Sequence, residues 1–183
     1  YSNLVCGMYS WRLSLPVNGF ICPASETLSV NALGHCVVPD SLVPLTQREA
    51  ADPASPSNLE RLENVFQNNS LMLKNLVFPV PVHAEERDAA CKKLFVKYGL
   101  YADQHTAEAY AAAVNRRALT ADDEAAVVLV VRDNPALSAE YIRHTIGEAP
   151  ALSESIQQAL APVTCRIARI TTSAEVKEAL CRL

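Results

Sequence analysis

Histidine and cysteine are the side chains best suited to chemistry near neutral pH, and this sequence gathers neither into a working arrangement. His35, His83, His105 and His144 are too dispersed for a local metal site. Cys6, Cys22, Cys36, Cys91, Cys165 and Cys181 lack the close pairing of a zinc knuckle or a redox dithiol. His35 and Cys36 are adjacent, but neighbours on a strand point to opposite faces, so they make a poor nucleophile pair. No G-x-S-x-G elbow is present to expose a serine nucleophile. Gly7, Gly19, Gly34, Gly99 and Gly147 stand singly, so no glycine loop forms a cradle for phosphate.

The elements that must position such residues alternate between helical and strand-like spacing. Residues 4–15 have helical periodicity, residues 17–22 a short strand signal, and residues 25–33 could form a helical turn or two. Residues 36–38 are a short β-branched run. Residues 39–56, with Pro39, Pro44, Pro53 and Pro56, read as a long loop. Ser57-Asn-Leu-Glu60 has the pattern of a capping box that opens a helix over residues 59–66. After a turn at Asn68 and Asn69, a second short segment over residues 71–78 should stop at Pro79-Val-Pro81, where proline removes the backbone donor.

Residues 85–98 form an amphipathic helix with Ala89, Ala90, Leu94, Phe95 and Tyr98 inward and Gly99 as its C-cap. An alanine-rich helix spans 106–117, with Thr106 as its expected N-cap. Residues 125–131 are continuous and apolar, which suits a strand buried on both faces of a parallel sheet. A helix over 135–147 with Asn134 as N-cap follows. Residues 166–170 are a strand candidate, and Thr172-Ser-Ala-Glu175 should cap a last helix through Leu183. Strands separated by helices argue an α/β fold, a mainly parallel sheet flanked by helices.

Composition narrows the partners. Half of the 183 residues are hydrophobic and a fifth are charged, as expected of a folded domain. The net charge is −4, and the basic doublets Lys92–Lys93 and Arg116–Arg117 lie among acidic neighbours. Without a basic stripe the electrostatic drive for nucleic-acid binding is missing. The longest apolar run, residues 125–131, is far too short to span a membrane, and no signal-peptide pattern opens the chain. Cysteines in apolar settings read as free thiols of a cytoplasmic protein.

Several stretches, in order, resemble threonine synthases. Tyr1-Ser-Asn-Leu-Val-Cys-Gly-Met-Tyr-Ser-Trp-Arg-Leu-Ser-Leu-Pro16 is similar to the end of that family's Ser-Gly-Asn-Phe-Gly-Asn phosphate loop and the helix after it. Pro56-Ser-Asn-Leu-Glu-Arg-Leu62 resembles its proline-serine-asparagine segment. Tyr101-Ala-Asp-Gln-His-Thr-Ala-Glu-Ala-Tyr110 resembles its Asp-Pro-His-Thr-Ala helix start. Residues 127–135 and the following helix take the place of its strand and Thr-Ala-His-Pro-Ala-Lys-Phe turn. The likeness covers residues 1–150, the carboxyl-terminal part of such an enzyme's pyridoxal-phosphate domain, with residues 151–183 as a terminal strand–helix extension.

This resemblance implies a fold-type II pyridoxal 5'-phosphate enzyme, a lyase of threonine biosynthesis that converts O-phosphohomoserine and water to threonine and phosphate. It implies cofactor contacts at Ser2, Asn3 and Arg132, substrate contacts at Ser57, Asn58 and Arg61, and a catalytic place for His105. The family's Schiff-base lysine lies upstream of its phosphate loop, so the expectation is that it belongs to an amino-terminal half before Tyr1. Lys74, Lys92, Lys93, Lys97 and Lys177 read as solvated, and the fragment alone is expected to be inactive. Three departures favour an alternative. Ser2 stands for a glycine, Arg132 for the threonine at the pyridine nitrogen, and Asn134-Pro-Ala-Leu137 for His-Pro-Ala-Lys. These fit a diverged or non-catalytic homologue acting as a protein-interaction domain.

Overall fold

A computed structural model describes residues 1–25, 28–33, 36–37, 58–66, 70–120, 126–131, 133–162 and 172–181. The chain divides into two compact units, Tyr1–Ala151 and Leu152–Leu183. In the first unit, helix α1 (Ser2–Arg12) places Leu4, Val5 and Met8 on one buried face, the spacing that puts residues on a single helical stripe. That face packs against Leu62, Val65 and Phe66 of α2 (Leu59–Phe66), whose pattern over 59–66 is as the sequence predicts. The same core takes in Leu28, Cys36 and Val77.

A two-stranded parallel sheet pairs β1 (Phe20–Pro23) with β4 (Val77–Val80), in register Phe20 to Val77 and Cys22 to Pro79. A small antiparallel ladder joins β2 (Ser29–Val30) to β3 (Cys36–Val37), so residues 28–33 contribute a strand and a turn instead of helix. Helix α3 (Ser70–Leu76) stops earlier than the sequence pattern suggests. Val77 and Val80 are buried strand residues, and Pro79 lies inside β4, where it gives up a ladder donor. Gly7 fixes how α1 lies over the sheet. A Cβ there would come within 2.6 Å of Phe20 Cε1, so only glycine lets helix and ring approach this closely.

Helices α4 (Ala84–Tyr98) and α5 (Gln104–Thr120) form the second core of this unit, around Cys91, Leu94, Ala102 and Ala107. Gly99 ends α4 in the left-handed conformation with φ 65°, as a C-cap requires. Two expected inward residues face solvent: Ala89 is exposed and Tyr98 is 57 % exposed. Cys91 takes the buried place, because the stripe of α4 that meets α5 runs through Ala90, Cys91 and Leu94. The α5 N-cap is Asp103, not Thr106. Its carboxylate accepts from the backbone N–H of His105 at 2.9 Å and of Thr106 at 3.1 Å, and also from the Thr106 hydroxyl. A 3-10 turn (Pro135–Ser138) capped by Asn134 leads into α6 (Ala139–Ile146), which ends at Gly147 with φ 93°. Tyr141 of α6 donates to Asp88 of α4 at 3.1 Å, where Arg87 also bonds the carboxylate at 2.9 Å.

The strand expected over 125–131 does not form among the described residues. Residues 126–131 have no regular secondary structure, and Val127, Val128, Val130 and Val131 are all exposed. An apolar run becomes a strand only where neighbours supply ladder bonds and cover, and none of the described strands lies beside it. In the second unit, α7 (Glu154–Ala159) and α8 (Ser173–Cys181) are short, and α7 buries no residue. Thr172 and Glu175 form the expected reciprocal cap of α8, at 3.3 and 3.0 Å. The strand expected at 166–170, the loop 39–56 and the turn at Asn68 and Asn69 lie outside the described residues. Among the described residues no helix is long and apolar enough to cross a membrane.

Burial also sets thiol behaviour. Desolvation pushes Cys22 up to about 12, with the nearby Cys36 adding to the rise, and pushes Cys36 up to about 11, from an ordinary 9.0. A thiol raised on folding contributes stability that is whole below the unfolded value. That contribution drains away as pH climbs from about 9 towards 11 and 12. At pH 8 the exposed Cys6 and Cys181 should therefore react with a thiol reagent on the order of a hundredfold faster than Cys22 and Cys36, which react only through opening. Site-resolved labelling by mass spectrometry checks this, and equal rates would contradict the packing of β1 and β3.

Candidate functional site

Helices α1 and α2 run side by side in the same direction, because hydrogen bonds join them at matching ends. At the carboxyl ends, Arg12 Nη1 donates to the Val65 carbonyl at 3.3 Å. At the amino ends, Asn58 Nδ2 donates to Ser2 Oγ at 3.1 Å, across 56 positions of sequence. The positive ends of two helix dipoles therefore meet at one place. No side chain caps α1, and its first turn holds no acidic residue. An open cleft of about 380 Å³ lies there, lined by Ser2, Val5, Cys6, Tyr9, Asn58 and Arg61.

Asn58 organises the cleft. Its carbonyl accepts from the Leu62 amide at 3.1 Å, which makes it the residue that opens α2. Its φ is 59°, a left-handed conformation that asparagine tolerates better than most residues. Its side-chain oxygen accepts from Arg61 Nη1 at 2.7 Å, a charge-assisted bond. One small amide thus links the first turns of both helices and anchors a guanidinium. Chemically, the cleft offers donors and positive charge for a small anion. Among the described residues that line it there is no carboxylate, histidine or lysine.

Ser2, Asn58 and Arg61 come together here. Asn3 is exposed in the first turn of α1 and does not line the cleft. His105 does not line it either. Its side chain is 78 % exposed near the start of α5, with Nδ1 3.8 Å from Glu108. Ser57 and Arg132 lie outside the described residues. Cys6 and Tyr9 were absent from the sequence candidates, yet with Ser2 and Val5 they form one stripe of α1. Helical spacing counted forward from Ser2 is the signal that finds them.

The amine of a pyridoxal-phosphate site is missing from the cleft. Lys92, Lys93, Lys97 and Lys177 are exposed and Lys74 is half-buried. A hydrogen bond to Tyr98, with that phenol's charge, holds Lys97 above its ordinary value. This keeps the amine protonated, the reverse of what a nucleophile needs. The residues described here therefore do not fit covalently held pyridoxal phosphate, although the cleft suits an anionic group. No potential metal-binding group of histidine, cysteine and carboxylate side chains occurs among the described residues. Comparison with protein-family models, with curated proteins and with solved structures found no match.

Proposed function

We propose that this chain is part of a threonine-synthase-like protein of the fold-type II pyridoxal-phosphate class. Its role there is to hold an anionic group of substrate or cofactor at the paired amino ends of α1 and α2. The observation that carries this reading is the hydrogen bond between Asn58 and Ser2. The two stretches it joins are those that resemble the family's phosphate loop and its proline-serine-asparagine segment. They are remote in sequence and share one cleft. Arg61 adds a fork suited to phosphate or carboxylate oxygens. The complete enzyme would convert O-phosphohomoserine and water to threonine and phosphate, with the amine supplied by polypeptide other than the residues described here.

The test is to express the complete coding sequence and compare it with the 183-residue chain. The complete protein should show the visible absorbance of lysine-bound pyridoxal phosphate and should release phosphate from O-phosphohomoserine. The chain alone should do neither. A complete protein that binds the cofactor but ignores this substrate would be a diverged enzyme. One that does neither would be an interaction module, the reading favoured by the exposed valines of residues 126–131.

A further inference from the structure

Asn18 is followed by Gly19, the one asparagine–glycine pair in the sequence. An asparagine side-chain carbonyl carbon lies within reach of the next residue's backbone nitrogen, and attack by that nitrogen closes a succinimide ring. A side chain on the second residue hinders the approach, and glycine has none. Gly7, Gly34, Gly99 and Gly147 all follow residues without a side-chain carbonyl. The pair lies at the bend between α1 and β1. Asn18 is exposed there, and its side chain has no hydrogen-bond partner among the described residues. Nothing described here holds the carboxamide away from the Gly19 nitrogen.

The fold also fixes the glycine. A Cβ at position 19 would stand 2.5 Å from Phe78 Cε2 and 3.1 Å from the Leu76 carbonyl oxygen. Phe78 is held in turn by Arg116, whose guanidinium lies 4.1 Å from the ring centroid. The bare backbone that lets β1 lie against β4 is therefore the same one that offers its nitrogen to Asn18.

We propose that Asn18–Gly19 is a self-modifying site, which converts asparagine to isoaspartate and so loosens β1 from β4. The Gly19 nitrogen loses its proton to base in the solvent and bonds to the Asn18 side-chain carbonyl carbon. The amide nitrogen of Asn18 leaves as ammonia. Water then opens the imide, and no oxidant or reductant takes part. Opening at the side-chain carbonyl gives aspartate on an unchanged main chain. Opening at the backbone carbonyl gives isoaspartate, whose main chain runs through the former side chain and is one carbon longer.

That added carbon falls between two fixed points. Upstream, α1 is held by Leu4, Val5 and Met8. Downstream, Phe20 is in register with Val77, and its ring lies where a Cβ on Gly7 would come within 2.6 Å. Gly19 has no space against Phe78 for a displaced backbone, so the shift passes into β1. Aspartate, by contrast, adds charge at an exposed position and leaves the register alone.

The test begins by ageing the 183-residue chain in mildly basic buffer and mapping its peptides by mass spectrometry that separates isoaspartate from aspartate. Residue 18 should deamidate at least about tenfold faster than the other described asparagines, and Asn18→Gln, which needs a larger ring, should slow the loss by a similar factor. Hydrogen exchange then reads the consequence. The Ala24 amide, which donates to the Val80 carbonyl at 2.9 Å, reports on the β1–β4 ladder. In the isoaspartate form its protection should fall about tenfold, while the amides of Cys91 and Leu94 in the second core keep theirs. Asn18→Asp, with the charge but not the longer chain, should keep wild-type protection at Ala24. Absence of isoaspartate at residue 18 after ageing would overturn the site. Unchanged protection at Ala24 in the isoaspartate form, or an equal loss in Asn18→Asp, would overturn the lengthened main chain as the device.

Discussion

Replacing Asp103 with alanine should destabilise the Tyr1–Ala151 unit by about 2–4 kcal/mol. Asp103 is only 3 % exposed, and its carboxylate accepts from two backbone amides and from the hydroxyl of Thr106, itself 3 % exposed. Removing an N-cap costs about 1 kcal/mol. Leaving buried donors unpaired costs about 1–3 kcal/mol more, because water cannot replace the lost acceptor. Against a total stability of about 5–15 kcal/mol this is a large share. Asp103→Asn keeps one acceptor oxygen and should lose less than half as much. Urea unfolding followed by circular dichroism measures both. A shift below about 0.5 kcal/mol for the alanine variant would mean that the cap is not what holds the start of α5.

That cap also explains what His105 and Thr106 do. The family resemblance directs attention to the histidine and threonine of this segment, but the physical pattern is Asp103-x-x-Thr106, an acceptor at the cap and a hydroxyl three residues on. Thr106 turns inward to Asp103, and His105, between them on the first turn of α5, points to solvent. The sequence marks a helix start here but puts its cap at Thr106, three residues past the true one. It does not show which member is buried, because burial depends on α4 packing against α5 through Cys91, Leu94 and Ala107.

Helices and caps were the most legible features for the same reason. Their signals are local: Gly99, Asn134, Gly147 and the Thr172–Glu175 pair each satisfy helix-end groups within a few residues. Strands depend on partners far away in the chain. Val77–Val80 continues from the end of α3 and carries a proline, yet it is a strand because Phe20–Pro23 lies beside it. The apolar run ending at Val131 has a stronger strand composition and no such neighbour among the described residues. The cleft falls between these cases. Arg61 and Asn58 were readable as helix-start residues, but their meeting with Ser2 follows from α1 and α2 packing in parallel through Met8, Leu62 and Phe66.

The largest change in solution behaviour should come from Val128 and Val130, which are 87 % and 59 % exposed. With Val127 and Val131 they present a continuous apolar stretch whose backbone has no strand partner among the described residues. Such a stretch is open both to edge-to-edge pairing and to apolar contact. Burying each valine is worth about 1.5 kcal/mol or more, so two chains that cover four of them gain enough to associate at moderate concentration. The 183-residue chain should therefore show a light-scattering mass that rises with concentration, and ANS fluorescence well above that of a compact domain. Val128→Lys combined with Val130→Lys puts charge on the same face of the run, since alternate residues of an extended chain share a side. This pair should restore a concentration-independent monomer at little cost in stability, because neither side chain is buried. A wild-type chain that already scatters as a monomer across roughly a hundredfold range of concentration would show that the stretch is not adhesive.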